Sequence, residues 1–77
     1  MKKILTFIIK NITGSDKFEV SEIDEDGRVT LEVNADKDIV GLIIGKEGKT
    51  IKNIRRILSV KAAMNNQAVN ITVNPED

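Results

Sequence analysis

The sequence lacks several residue types on which common protein functions depend. It has no cysteine, which excludes a disulfide framework, a thiolate metal site and a cysteine nucleophile. It has no histidine, the commonest general base and metal ligand. Tryptophan and tyrosine are absent and only two phenylalanines are present, so a nucleic-acid site would lack the usual aromatic stacking platform. The chemistry left to this chain is that of carboxylates, amides, hydroxyls, lysine and arginine.

Aliphatic residues dominate the apolar part of the sequence. Of its 77 residues, 40% are hydrophobic and 31% are charged, and isoleucine, valine and leucine occur 12, 7 and 4 times. A disordered chain would have fewer aliphatic residues and a larger net charge. The composition therefore predicts one small globular domain over residues 1–77, with a modest core.

Charge is unevenly distributed along a chain whose formal net charge is zero. Residues 45–61 carry six basic side chains against Glu47 alone, a net charge of +5, and the rest of the chain carries −5. Seven acidic residues lie between Asp16 and Glu32. Because binding responds to the local field, the basic segment is a candidate contact for a polyanion despite the neutral total.

The start of the sequence resembles a signal peptide at first sight, but a helix explains it better. The apolar run ends after six residues at Lys10, and no small-residue cleavage site follows. No segment is long enough to span a bilayer, so we expect no membrane association. Apolar residues recur at helical spacing until Gly14 ends the pattern. The predicted core-facing residues are Ile4, Leu5, Ile8, Ile9 and Ile12.

Two strands joined by a tight turn are predicted next. Apolar residues alternate with polar ones over residues 18–23 and again over residues 29–33. Between these segments, Asp26-Gly27 is a strong hairpin signal. The acidic run over residues 24–26 also suggests a calcium loop, but Arg28 stands where that loop needs an oxygen ligand. We therefore interpret the run as a solvated turn.

The second half of the sequence predicts two helices and a strand. Asp36 suits the N-cap of a short helix, whose core-facing residues would be Val40, Ile43 and Ile44. A longer helix is predicted over residues 49–64, with a buried stripe of Ile51, Ile54, Leu58 and Ala62. A last strand alternates over residues 69–73, and we expect it to end at Pro75. The predicted order is α-β-β-α-α-β.

The segment Gly45-Lys46-Glu47-Gly48 separates the two predicted helices. Two glycines three residues apart permit a tight turn without Cβ obstruction, so a nucleic-acid backbone can come close to exposed N–H groups. The next helix begins at this point, and its positive dipole end faces any ligand that docks there. Lys46 and Lys49 add full charges. The arrangement predicts a site for a phosphodiester backbone.

Two other interpretations compete for this segment. A GxxG pair by itself is also typical of a plain helix–helix turn. Gly48-Lys49-Thr50 matches the end of a nucleotide-binding P-loop, but that motif needs a glycine where this chain has Ile43. A chain of 77 residues also cannot build the parallel sheet that such enzymes use. We therefore expect neither a nucleotide nor any other cofactor.

The context of the glycines favours one interpretation. Residues 43–54, IIGKEGKTIKNI, resemble the signature of the KH domain, in which IGxxG is followed by an isoleucine and a basic residue early in the next helix. Gly41 fits as well, because KH sequences often read G-x-I-I-G-K-x-G. Length and element order resemble the small stand-alone bacterial KH proteins of the KhpA-like family. The resemblance covers essentially the whole chain.

The resemblance implies an α+β, type II KH fold with a three-stranded mixed sheet and helices packed on one face. The strand over residues 29–33 would be central, antiparallel to its hairpin partner and parallel to the last strand. A KH groove holds about four single-stranded nucleotides, clamped by the GxxG loop. The implied RNA-binding residues are Gly41, Ile44, Gly45, Lys46, Glu47, Gly48, Lys49, Ile51, Lys52, Arg55 and Arg56. Gly41, Ile44 and Ile51 would help form the apolar wall against which the bases lie, and the turn over residues 65–67 would lie at the opposite wall.

These features together predict a cytoplasmic, non-catalytic protein that binds single-stranded RNA. No nucleophile–base pair is visible, so we expect no enzyme. Glu47 should weaken binding, because a carboxylate within a phosphate clamp repels its ligand. The resemblance also implies a homodimer, or a heterodimer with a larger KH-containing RNA-binding protein, for which Phe7 and Ile57 are the nearest sequence signal. The alternative is a KH-shaped protein-interaction module that does not bind nucleic acid.

Overall fold

The elements follow the predicted order along the chain. The computed structural model describes residues 1–76. It contains α1 (Lys2–Thr13), β1 (Phe18–Glu25), β2 (Arg28–Asp36), α2 (Lys37–Ile44), α3 (Lys49–Met64) and β3 (Ala68–Glu76). One 3₁₀ turn, Lys46–Gly48, separates α2 from α3. The element order α-β-β-α-α-β and the bounds of the long helix are confirmed.

The three strands form one mixed sheet with β2 in the centre. β1 is antiparallel to β2, with Val20 opposite Val33, and β3 is parallel to β2, with Ile71 opposite Leu31. Asp26-Gly27 forms the two-residue connection between β1 and β2, as the hairpin signal predicts. The sheet therefore confirms the type II KH fold.

The helices cover one face of the sheet and enclose an aliphatic core. Val29, Leu31 and Val33 alternate along β2 and are at most 2% exposed. From α1, Leu5 and Ile9 are fully buried. The predicted stripe of α3 is also buried, with Ile51, Ile54, Leu58 and Ala62 facing this core. Within residues 1–76, no helix combines the length and the apolarity needed to cross a membrane.

Four details differ from the sequence-based expectation. Ile12 is 40% exposed because it lies in the last turn of α1. Ile44 is 37% exposed because α2 ends at this residue. β3 continues past Pro75, since β3 is an edge strand and does not need the N–H that proline lacks. Asp36 is the N-cap residue of α2 but makes no side-chain capping hydrogen bond.

A carboxylate from β1 fixes the start of α1. Glu22 Oε1 accepts a 2.8 Å hydrogen bond from the main-chain N–H of Lys2. The same oxygen lies 3.4 Å from the amino group of Met1. Because the first N–H groups of a helix have no intrahelical partners and carry partial positive charge, an acidic side chain stabilises this end. Glu22 therefore ties α1 to the sheet.

Candidate nucleic-acid interface

The GxxG segment forms the tight turn from α2 into α3. The N–H of Gly45 donates to the main-chain oxygen of Gly41 at 2.9 Å, and the N–H of Gly48 donates to the oxygen of Gly45 at 3.1 Å. The backbone φ is positive at Gly45 (77°), Glu47 (58°) and Gly48 (73°). Glycine adopts such angles without strain, whereas Glu47 has a Cβ and is strained. The segment is therefore a constrained turn that two glycines make possible.

Gly45 is also required because of its close neighbour Thr50. A Cβ atom at Gly45 would lie 2.6 Å from the Cβ of Thr50 and 3.0 Å from its main-chain nitrogen. A Cβ at Gly48 would have no such neighbour within 4 Å. The turn thus folds back onto the first residues of α3 at Gly45. In the sequence, Thr50 belongs only to the rejected P-loop match, and no local pattern reveals this contact.

Gly41 is open to solvent on the neighbouring helix. It lies within α2 and is exposed, and a Cβ there would meet no atom within 4 Å. Glycine within a helix destabilises it by about 1 kcal/mol relative to alanine. No packing contact among residues 1–76 requires glycine at this position. The missing side chain leaves the α2 surface open to close approach by a ligand.

The basic side chains at the start of α3 are exposed. Lys46 belongs to the turn, and Lys49, Lys52 and Arg56 lie on the α3 face away from the core. Within residues 1–76, no ion pair engages any of these four side chains. The first turn of α3 contains no acidic residue. The amino end of α3 and these cations therefore favour positive potential on one side of the turn, which Glu47 and the carboxyl end of α2 reduce.

Arg55 differs from the other basic residues because it contacts the sheet. Its Nη2 donates a hydrogen bond to the main-chain oxygen of Ile71 on β3 at 3.4 Å. The guanidinium therefore lies between α3 and the open edge of the sheet. Nothing in the local sequence pattern predicts this contact, because it depends on how α3 packs beside β3.

The two isoleucines of the predicted apolar wall have different environments. Ile44 is 37% exposed, so it offers apolar surface beside the turn. Ile51 is 7% exposed and belongs to the hydrophobic core. Ile44 and the bare surface at Gly41 are thus the accessible part of this wall.

The turn over residues 65–67 lies at the other end of α3 from the GxxG turn. α3 has 16 residues, so the two turns are about 24 Å apart at 1.5 Å per residue. Gln67 Nε2 donates to Asp24 Oδ2 at 3.4 Å, and the N–H of Ala68 donates to the oxygen of Gly27 at 2.9 Å. This turn therefore packs against the acidic hairpin, whose carboxylates repel phosphate. Among residues 1–76, no group of acidic side chains is arranged to hold a metal ion.

Comparison with known proteins agrees with this geometry. The sequence model of the KhpA/KhpB KH-domain family matches residues 2–73. The chain is 36% identical to the RNA-binding protein KhpA of Chlamydia pneumoniae over 77 residues, which cover 99% of both chains. It is 37% identical to the protein of the same name from Thermotoga maritima over 60 residues, which cover 77% of this chain and 80% of that one. The RNA-binding protein KhpA of Clostridium acetobutylicum is 30% identical over 74 residues, or 95% of this chain and 99% of that one. With the type II KH fold and its GxxG turn already described, these matches show that the chain belongs to the KhpA/KhpB KH-domain family.

Proposed function

We propose that residues 1–77 act as one cytoplasmic KH domain that binds short single-stranded RNA without catalysis. The observation that carries the proposal is the GxxG turn at the start of α3, flanked by exposed basic side chains that form no ion pair within residues 1–76. The relatives from C. pneumoniae and T. maritima are named RNA-binding proteins, which supports the same ligand class here.

In this proposal, the RNA backbone lies against the GxxG turn. The N–H of Lys49 donates to the main-chain oxygen of Lys46, but the amino end of an α-helix carries partial positive charge and attracts phosphate oxygens. Lys46 and Lys49 are exposed beside this helix end and add charge-assisted contacts. Lys52 and Arg56 extend the positive surface along α3.

The bases lie next to the turn, on an aliphatic surface. Gly41 leaves room for close approach, and Ile44 contributes apolar area. Arg55 stands between α3 and β3, where its guanidinium can contact a base or a phosphate. This surface suits about four unstacked nucleotides, the usual capacity of a KH groove.

Pairing with a second KH unit would strengthen weak binding by one short domain. Glu47 places a carboxylate within the proposed clamp, so we expect low intrinsic affinity. Two linked sites raise the effective concentration of the second site. Ile57, Val60 and Met64 are 53%, 59% and 75% exposed on α3. They form an apolar surface for a second copy of this chain or for a larger KH-containing RNA-binding protein.

A binding titration across salt concentrations tests the proposed function. If about three phosphates are contacted, log affinity for single-stranded RNA should fall against log salt with a slope of about −2. A duplex RNA of the same length is the control and should bind more weakly, because its bases are not free to enter the groove. Undetectable binding of single-stranded RNA would favour the protein-interaction alternative. A flat salt response would contradict the backbone clamp.

A further inference from the structure

We propose that the outer face of α1 is a second contact for single-stranded RNA, in which Phe7 stacks on a base and Lys3 and Lys10 contact phosphates. This inference rests on the proposed function, because it places a longer stretch of the same RNA beyond the groove of α2 and α3. It assigns a role to residues that the GxxG site does not use.

The two phenylalanines of the chain have different environments. Phe7 is 69% exposed, whereas the other phenylalanine, Phe18, packs against the core. Phe7 borders a shallow hollow of about 450 Å³. The other residues that line this hollow are Lys2, Lys3, Thr6 and Lys10. An aromatic ring thus stands among three lysines, on a chain with very few aromatic residues.

The charges around Phe7 favour an anionic ligand. Lys3 precedes Phe7 by four residues and Lys10 follows it by three, so both lie one helical turn away on the same face. α1 contains no acidic residue, and no ion pair within residues 1–76 engages Lys3 or Lys10. On the neighbouring strand, Glu19 borders a separate hollow beside Thr6, and Glu22 is engaged by the amino group of Met1. The lysines are therefore available to phosphate groups.

The chemistry of the patch favours RNA over two other anionic partners. A membrane surface requires a broad apolar helix face, but Leu5 and Ile9 of α1 are buried in the core, leaving Phe7 as the exposed apolar side chain of this patch. An acidic peptide would pair with the lysines, but it would offer the ring a flat group only where it also carries an aromatic or arginine side chain. Single-stranded RNA supplies both groups, because its bases stack on aromatic side chains and its phosphates follow the backbone.

The position of α1 allows one RNA strand to reach both surfaces. α1 packs against α2, the helix that carries Gly41 and Ile44. The Cα atoms span 34 × 21 × 18 Å, so the patch and the GxxG turn lie within the reach of one extended strand. The groove itself holds about four nucleotides, so in this proposal only a longer strand has nucleotides left to contact Phe7.

The Phe7→Trp variant reports stacking directly. The chain has no tryptophan or tyrosine, so the introduced indole would be its only strong fluorophore. RNA of about 16 nucleotides should quench this fluorescence, whereas a tetranucleotide that fills the groove should not. If the fluorescence is quenched as the protein concentration rises in the absence of RNA, a second copy of the chain covers Phe7, and the proposal is overturned. A blue shift of the indole emission with anionic phosphatidylserine vesicles, without any quenching by RNA, would overturn it in favour of a membrane.

Affinity measurements with matched variants provide a second test of the α1 contact. Phe7→Ala, and separately Lys3→Gln with Lys10→Gln, should weaken binding of the longer RNA about fivefold or more and leave the tetranucleotide unaffected. The controls are Ile23→Ala, which removes a side chain that is 50% exposed on the acidic hairpin, and Lys17→Gln. Longer RNA that binds the α1 variants as tightly as the parent would overturn the proposal. If the tetranucleotide fails to bind the parent, the proposed function itself fails, which this design distinguishes from failure of the α1 contact.

Discussion

The side chain of Thr50 occupies the space that a Cβ atom at Gly45 would need. Gly45 begins the GxxG turn and Thr50 lies in the first turn of α3, and a Cβ at Gly45 would come within 2.6 Å of the Cβ of Thr50. Gly45 also has φ 77° and ψ 174°, a combination that is essentially restricted to glycine. Its partner Gly48 has a positive φ but open space around it. The two glycines of the motif therefore have different structural roles.

This difference predicts unequal effects of Gly45→Ala and Gly48→Ala on stability. The backbone strain at Gly48→Ala should lower the free energy of unfolding by about 1–2 kcal/mol. Gly45→Ala should lower it further, because a backbone conformation that is essentially restricted to glycine is combined with displacement of Thr50. Urea unfolding of both variants beside the parent measures the difference. Equal losses would show that Thr50 does not constrain the turn.

Gly41→Ala should change stability and RNA binding in opposite directions. Alanine in the helix should stabilise the fold by about 1 kcal/mol, because a Cβ at this position has no packing neighbour within 4 Å among residues 1–76. The same methyl group should weaken RNA binding if RNA approaches α2 there. Thermal unfolding and an RNA titration test the two effects. Ser59→Ala, at an exposed position of α3, is the control and should leave RNA binding unchanged. Unchanged RNA binding by Gly41→Ala would show that RNA does not approach α2 closely at Gly41.

Ile54→Asp should unfold the protein. Ile54 is 2% exposed in the aliphatic core, where an unpaired carboxylate has no partner and loses its hydration. Ile57→Asp is the matched control on the same helix, since Ile57 is 53% exposed. Circular dichroism should show loss of structure for the first variant and a native spectrum for the second. A folded Ile54→Asp protein would contradict the packing of α3.

The elements of this fold could be predicted where their patterns are local. The stripe of Ile51, Ile54, Leu58 and Ala62 repeats at helical spacing, and the structure buries all four residues. The same rule was wrong for Ile12, because the apolar spacing continues to the last turn of α1 although burial does not. Pro75 was misinterpreted because a local pattern does not indicate whether a strand is central or at an edge.

The details of the candidate site depend on tertiary packing, so the sequence alone predicts them less well. The GxxG motif indicated the turn itself, and the structure places a tight turn there. The contact of Arg55 with Ile71 joins α3 to β3, and the contact of Gln67 with Asp24 joins the end of α3 to the hairpin. Neither pair has a spacing that a sequence pattern can reveal. Because of these contacts, Arg55 and Gln67 have surroundings that differ from those of other residues with the same charge or polarity.

The affinity of Lys46→Asp for single-stranded RNA tests the central claim most directly. Lys46 is exposed in the GxxG turn, so its replacement should change stability by only about 0.5 kcal/mol. Lys17→Asp is the control, because it makes the same charge change at an exposed position in the connection between α1 and β1. The loss of a charge-assisted contact and the new repulsion beside Glu47 should weaken binding by about 2 kcal/mol or more, which is over tenfold. We predict that Lys46→Asp melts like the parent but loses RNA affinity, whereas Lys17→Asp keeps it. If Lys46→Asp binds RNA as tightly as the parent, the GxxG turn is not the RNA clamp.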